Sequence, residues 1–236
     1  QINNFKGYFD LSAFVTQYTD MMEFMFGFYN SNGEDIEISQ ILAEIQGDLT
    51  KLPNYIGARS TNIQNANIPG FEISLVGQGN ITKDISFSIL AGYTFINPTA
   101  VNPDSVYIAT FSNPDTINPA NSILKYRNKH MAKIDFQIDY KQISFGMSSR
   151  YTSLMENIDN VFVEPILGIE ILPGYGSYRN ARMTADVIFD ARIAYQINKK
   201  SKFSILMNNV LNREYTNRPG NVMPPRTILW QYSLTF

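Results

Sequence analysis

Four aspartates stand in two pairs four residues apart, Asp135 with Asp139 and Asp186 with Asp190, and Lys133, Arg150 and Arg192 share their stretches. Paired carboxylates perform acid–base chemistry when their surroundings push their pKa values apart. An enzyme would also need a nucleophile and a base; Ser148, Ser149 and His130 are available but match no recognisable motif. With Cys 0 there is no thiol nucleophile, disulfide or thiolate metal site, and the one histidine cannot make a two-histidine metal site within the chain. The competing reading is charge lining one polar face, where it meets water or pairs across strands. The elements that carry these residues decide between the two.

Those elements alternate strictly. From Thr184 to Ile197, Ala185, Val187, Phe189, Ala191, Ile193, Tyr195 and Ile197 interleave with a largely polar set that contains Asp186, Asp190 and Arg192. Period two belongs to a strand with one apolar and one polar face, and this length is enough for the ~9–11 residues of a tilted membrane-crossing strand. The same pattern predicts strands over 8–18, 71–79, 85–95, 132–140, 143–152, 203–211 and 228–236, eight in all. Lys133, Asp135, Asp139 and Arg150 then fall on the polar face.

The connections alternate too. Residues 80–84, 141–142 and 198–202 are short turns, whereas 22–65, 98–128, 157–182 and 212–227 are long. Outer-membrane barrels have short periplasmic turns and long extracellular loops. Soluble sandwiches and lipocalin-type barrels also use amphipathic strands, with the apolar face inward. Strand length, the rim asymmetry and Tyr93, Phe95, Tyr140, Tyr151, Tyr195, Trp230 and Tyr232 near strand ends favour an antiparallel transmembrane β-barrel in an outer membrane, with the lipid bilayer against its apolar face.

Composition agrees. The 236 residues contain 13% aromatics, unlike a disordered chain, and a net charge of −2, without the basic excess that nucleic acid requires. No run reaches the ~20 apolar residues of a membrane-crossing helix. No secretory signal follows Gln1, so one is expected to have been removed or to lie outside these residues.

The end of the chain carries a more specific signal. Asn208, Asn209, Val210, Leu211, Asn212, Arg213 and Tyr215 precede Pro219 and Gly220, then Pro225, Arg226 and Thr227, and an alternating strand ending in Phe236. This resembles the C-terminus of TonB-dependent outer-membrane receptors. Residues 8–20, 65–75 and 91–95 are similar to earlier strands of that family, more weakly. The resemblance implies uptake of a scarce, bulky nutrient such as an iron–siderophore complex, cobalamin, an oligosaccharide or a peptide, energised by TonB through a plug. It makes Phe236 part of an assembly signal and places the long loops outside the cell. A surface lipoprotein over those loops is a further partner in one branch of the family. No resident cofactor or metal is expected.

A complete receptor has a plug and a barrel of about 22 strands, and neither a plug nor a TonB box is recognisable here. The chain therefore reads as the C-terminal portion of such a barrel. A self-contained eight-stranded structural or adhesion barrel is the alternative, and an outer-membrane enzyme a more distant one.

Within the first long loop, Ile38, Ile41, Leu42, Ile45 and Leu49 recur at helical spacing and predict a short amphipathic helix with a packing face. The next two loops carry Tyr107, Phe111, Tyr126, Phe162, Tyr175 and Tyr178 among Asn, Pro and Gly. These aromatics are candidates for gripping a ligand, against the plainer role of packing the loops on themselves.

Overall fold

A computed structural model describes residues 3–118 and 120–236. Its elements are β1 (Asn3–Tyr18), β2 (Met22–Phe28), α1 (Ile38–Glu44), β3 (Ile56–Asn62), β4 (Asn65–Asn80), β5 (Ile85–Ile96), β6 (Thr99–Val101), α2 (Ser105–Ala109), β7 (Asn121–Ile123), β8 (His130–Tyr140), β9 (Ile143–Thr152), α3 (Tyr175–Ala181), β10 (Asp186–Asn198), β11 (Ser201–Asn208), β12 (Thr216–Arg218), β13 (Asn221–Val222) and β14 (Thr227–Leu234). All eight expected strands are present. They form an antiparallel wall in the order β1-β4-β5-β8-β9-β10-β11-β14. Each tight turn joins neighbours at one rim, so the long connections all leave from the other.

The wall is open. No pairing joins β1 to β14 among the described residues, so these strands do not make the closed eight-stranded barrel that the sequence left as an alternative. The edge strands β1 and β14 each leave one row of backbone N–H and C=O groups without a strand partner among the described residues.

Register confirms the two faces. Leu11, Ile73 and Tyr93 align across β1, β4 and β5, and Ile193 and Ile205 across β10 and β11. Much of this face is exposed, Val15 at 63% and Ile193 at 49%, while Ile73, Tyr93 and Ile205 are half-buried. A belt of bare apolar side chains is what a bilayer-facing surface requires.

The apolar core lies instead in the outer loops. Met25, Ile63, Ala66, Ala100, Tyr107, Phe111 and Leu124 form one buried cluster. It forms because the first loop is less irregular than its sequence suggests: β2 and β3 pair as a hairpin that prolongs β1 and β4, linked by the bonds Met21 N to Gln64 O (2.8 Å) and Ile63 N to Met21 O (2.9 Å). Beside it, β6 pairs onto the outer end of β4, and β7 pairs onto β6.

The expected helix is shorter, ending before Gly47 (φ 83°), and a 3-10 turn over Leu49–Tyr55 replaces its last part. Its apolar positions do pack: Ile41 and Ile45 are buried with Leu52. At the other end of the chain, β11 stops at Asn208 rather than Leu211, because Asn209 and Asn212 take positive φ (51° and 52°). The last strand stops at Leu234, leaving Phe236 fully exposed beyond it.

Candidate ligand cleft and lumen face

The concave face of the wall is a ladder of ion pairs. Register sets Asp135, Ser148 and Asp190 in one row across β8, β9 and β10, and Gln137, Gly146 and Arg192 in the next. Arg192 donates from Nη1 to Asp135 Oδ2 and from Nη2 to Asp135 Oδ1, both at 2.8 Å, and from Nη2 to Gln137 Oε1 at 3.2 Å. A bidentate guanidinium–carboxylate pair is the geometry in which arginine binds best. Asp139 accepts from Gln137 Nε2 at 3.0 Å. Arg150 pairs with Asp190 at 3.2 Å, and Asp190 also accepts the Asn209 amide at 2.8 Å. Asp186 pairs with Arg213 at 3.0 Å. Lys133 sits opposite Arg150 and helps line a concavity of about 730 Å³ bounded by Asp135, Asp190 and Tyr215.

Each aspartate of the two pairs is thus engaged by a donor rather than by its fellow carboxylate. The candidate nucleophiles and base are not brought together either. Ser148 is on the concave face, while Ser149 and His130 are on the bilayer-facing side. There Ser149 lies opposite Ile134, four positions from His130 or about 13 Å along the strand. The His130 ring is instead bonded to the Tyr93 hydroxyl at 2.8 Å and lies against Phe95.

The loop aromatics divide into two groups. Tyr107 is fully buried, edge-on to Phe111 at 5.1 Å, and Phe162 packs edge-on against Phe26 at 4.7 Å. Tyr126 donates its hydroxyl to Asp159, which also receives the buried Lys125 ammonium. That ammonium donates to Thr110 Oγ1 at 2.9 Å and lies 4.7 Å from the Tyr107 ring centre. Burial pushes the hydroxyls of Tyr107 and Tyr126 well above their ordinary range and pushes Lys125 down, Asp159 partly restoring it. These four aromatics hold the outer loops together.

Tyr175 and Tyr178, on α3, face a cleft of about 120 Å³ between the third and fourth loops. Arg179, Arg182, Tyr215 and Arg218 add to its polar lining, together with one carboxylate, Asp186. Arg179 is tied down by Met155 O at 2.6 Å, and Arg182 by Glu214 O at 2.6 Å and by stacking on Tyr178 at 5.3 Å. Arg218 lines the cleft and forms no ion pair among the described residues. Gly176 lets α3 sit against the Val163 carbonyl, where a Cβ would collide. Arg179, Arg182 and Arg218 were not singled out from the sequence, and Tyr215 only as part of the C-terminal resemblance, since they come from two separate loops and no spacing relates them.

Asn209 organises the fourth loop. It is 3% exposed, accepts the Arg213 amide at 2.7 Å, and donates to Arg213 O at 2.7 Å and Pro224 O at 3.3 Å. Asn212 Oδ1 accepts the Arg226 amide at 2.9 Å. The asparagine-rich run at the end of β11 is therefore a set of side-chain clamps on backbone that no strand pairs.

Three solved structures share the fold. The ferric-catecholate import receptor Fiu of E. coli K12, in its closed form, is 20% identical with a TM-score of 0.55, over 97% of this chain and 25% of that one. P. aeruginosa FpvA, bound to a heterologous pyoverdine–iron complex, is 13% identical with a TM-score of 0.54, over 97% and 24%. The copper transporter OprC is 12% identical with a TM-score of 0.52, over 100% and 29%. The chain thus spans 24–29% of the length of these proteins. No curated protein sequence matches it significantly. The family model "TonB dependent receptor-like, beta-barrel" matches residues 2–212, and with the open, lumen-charged wall already described this chain belongs to that family of outer-membrane receptors.

Proposed function

We propose that the chain is the C-terminal wall and outer-loop region of a TonB-dependent importer, and that the ligand is a metal chelate with an oxygen-rich, anionic periphery. The match of the receptor barrel family over residues 2–212 carries the reading. Further barrel strands would satisfy the free edges of β1 and β14. A plug would occupy the lumen, its polar groups meeting Lys133, Arg150 and the aspartates, and TonB would act on that plug. Among the nutrients such receptors import, a lining of Tyr175, Tyr178, Arg179, Arg182 and Arg218 favours a chelate: its one carboxylate, Asp186, is paired with Arg213, and hydroxyls and guanidinium groups suit charged oxygen atoms better than an apolar surface. The names of Fiu, FpvA and OprC point toward metal uptake as well.

The test is uptake of radiolabelled ferric chelates by cells carrying the full-length receptor as their sole outer-membrane route. Uptake should require TonB, and the double substitution of Tyr178→Ala with Arg218→Ala should weaken binding about tenfold or more at an unchanged surface level. Transport of oligosaccharide or cobalamin instead, with ferric chelates ignored, would overturn the ligand assignment.

A further inference from the structure

The three tight turns share one rim of the wall, and each carries exposed lysine: Lys83, Lys141, and Lys199 with Lys200. None of the four has an ion-pair partner among the described residues, no arginine lies in these turns, and Asp84 is the single acidic residue there. Consecutive hairpins along the wall are two strands apart, about 10 Å. That is about one Debye length at 0.1 M salt, so the row acts on a facing layer as one band of positive charge.

Depth fixes what that layer is. Tyr140, Tyr195, Phe203 and Tyr232 lie on the bilayer-facing side one to a few residues from the turns, the place of an interfacial aromatic girdle. Lys141 Nζ sits 5.2 Å from the Tyr140 ring centre, and Tyr195 donates its hydroxyl to Gln142 at 2.9 Å. The ammonium groups therefore stand just beyond the hydrocarbon, level with lipid headgroups. Lys141 moreover holds φ 53° in a two-residue turn, a conformation that glycine or asparagine adopts with less strain. A lysine kept where the backbone disfavours it is consistent with a use for its charge.

We propose that this rim binds the headgroups of anionic phospholipids in the periplasmic leaflet, as a band that recruits them around the receptor. The proposal rests on the outer-membrane placement of the wall but not on any particular transported ligand.

The test uses the full-length receptor extracted gently from outer membranes, with mass-spectrometric counting of the phospholipids it retains. The unaltered receptor should carry phosphatidylglycerol enriched over the bulk membrane. Combined Lys83→Gln, Lys141→Gln, Lys199→Gln and Lys200→Gln should lower that enrichment at least threefold, with heat-modifiable folding and ligand uptake retained. The corresponding arginine set should keep it, which separates charge from turn geometry and covers a glutamine set that inserts poorly. Equal enrichment in the folded glutamine variant would overturn the proposal. So would lysine-dependent retention of an acidic periplasmic protein with no change in lipid. Loss of chelate uptake with lipid enrichment intact would count against the importer reading alone.

Discussion

Arg192 reaches Asp135 across the whole width of an intervening strand, and it does so because the residue between them is Gly146. A Cβ at Gly146 would stand 2.5 Å from Arg192 Cζ and 2.8 Å from Nη2, inside the space that the guanidinium fills. One absent side chain on β9 thus lets β10 grip β8, tying three strands together on the lumen face.

Gly146→Val should push Arg192 off Asp135 and cost about 1–3 kcal/mol, the usual range for overpacking a fitted site. Unfolding midpoints of the full-length barrel in urea would register this. A double-mutant cycle of Arg192→Met with Asp135→Asn should show coupling above about 0.5 kcal/mol with Gly146 present and little in the Gly146→Val background. Equal coupling in both backgrounds would remove Gly146 from this account.

Asn209→Ala should loosen the fourth loop. It strands the Arg213 amide and carbonyl, which the side chain now satisfies at 2.7 Å, at about 1–3 kcal/mol for a buried group left unpaired. Trypsin cleavage after Arg213 should accelerate several-fold. Asn209→Gly, which relieves the positive φ but still lacks the clamp, should accelerate it too; protection by glycine would show that backbone strain and not the clamp governs the loop.

Substituting arginine separates the two faces of the wall. Ile193→Arg, on the bilayer side, should cost about 2–4 kcal/mol near the midplane and reduce insertion. Gln137→Arg, on the lumen side, should be tolerated far better. Similar insertion of both variants would contradict the assignment of faces.

Deleting Phe236 should lower the amount of receptor assembled in the outer membrane. No described residue packs against this fully exposed side chain, so its removal should leave the unfolding midpoint of receptor that does assemble unchanged. Unaltered assembly would take the terminal aromatic out of the targeting argument.

Glu23, on β2, should make the outer-loop body pH-sensitive. Burial pushes its carboxyl above the ordinary value of 4.5, and Arg127, 2.9 Å away, pulls it back by less. The folded state then binds the proton more tightly than the unfolded state, so stability falls as pH rises from 4.5 through the raised value and levels off above it. Amide exchange in β2 and β3 should show that slope, and Glu23→Gln should flatten it. A slope of the opposite sign would mean that the Arg127 pair outweighs burial.

The eight strands, their two faces and the alternation of short and long links were legible in the residue order, because side-chain alternation in a strand is a local property. The charged face was legible for the same reason: Asp135, Asp139, Asp186, Asp190 and Arg192 sit out of phase with the apolar positions. Tyr107 and Tyr178 looked alike as loop aromatics, yet one lies inside a core and the other faces a cleft. Burial depends on which distant segments meet, here β6, β7 and the hairpin of β2 and β3 above β4. The same holds for the Arg192, Gly146 and Asp135 contact, which joins residues more than fifty positions apart. Alternation along the chain sets which way each side chain points; register between strands, decided only when the wall assembles, sets what it touches.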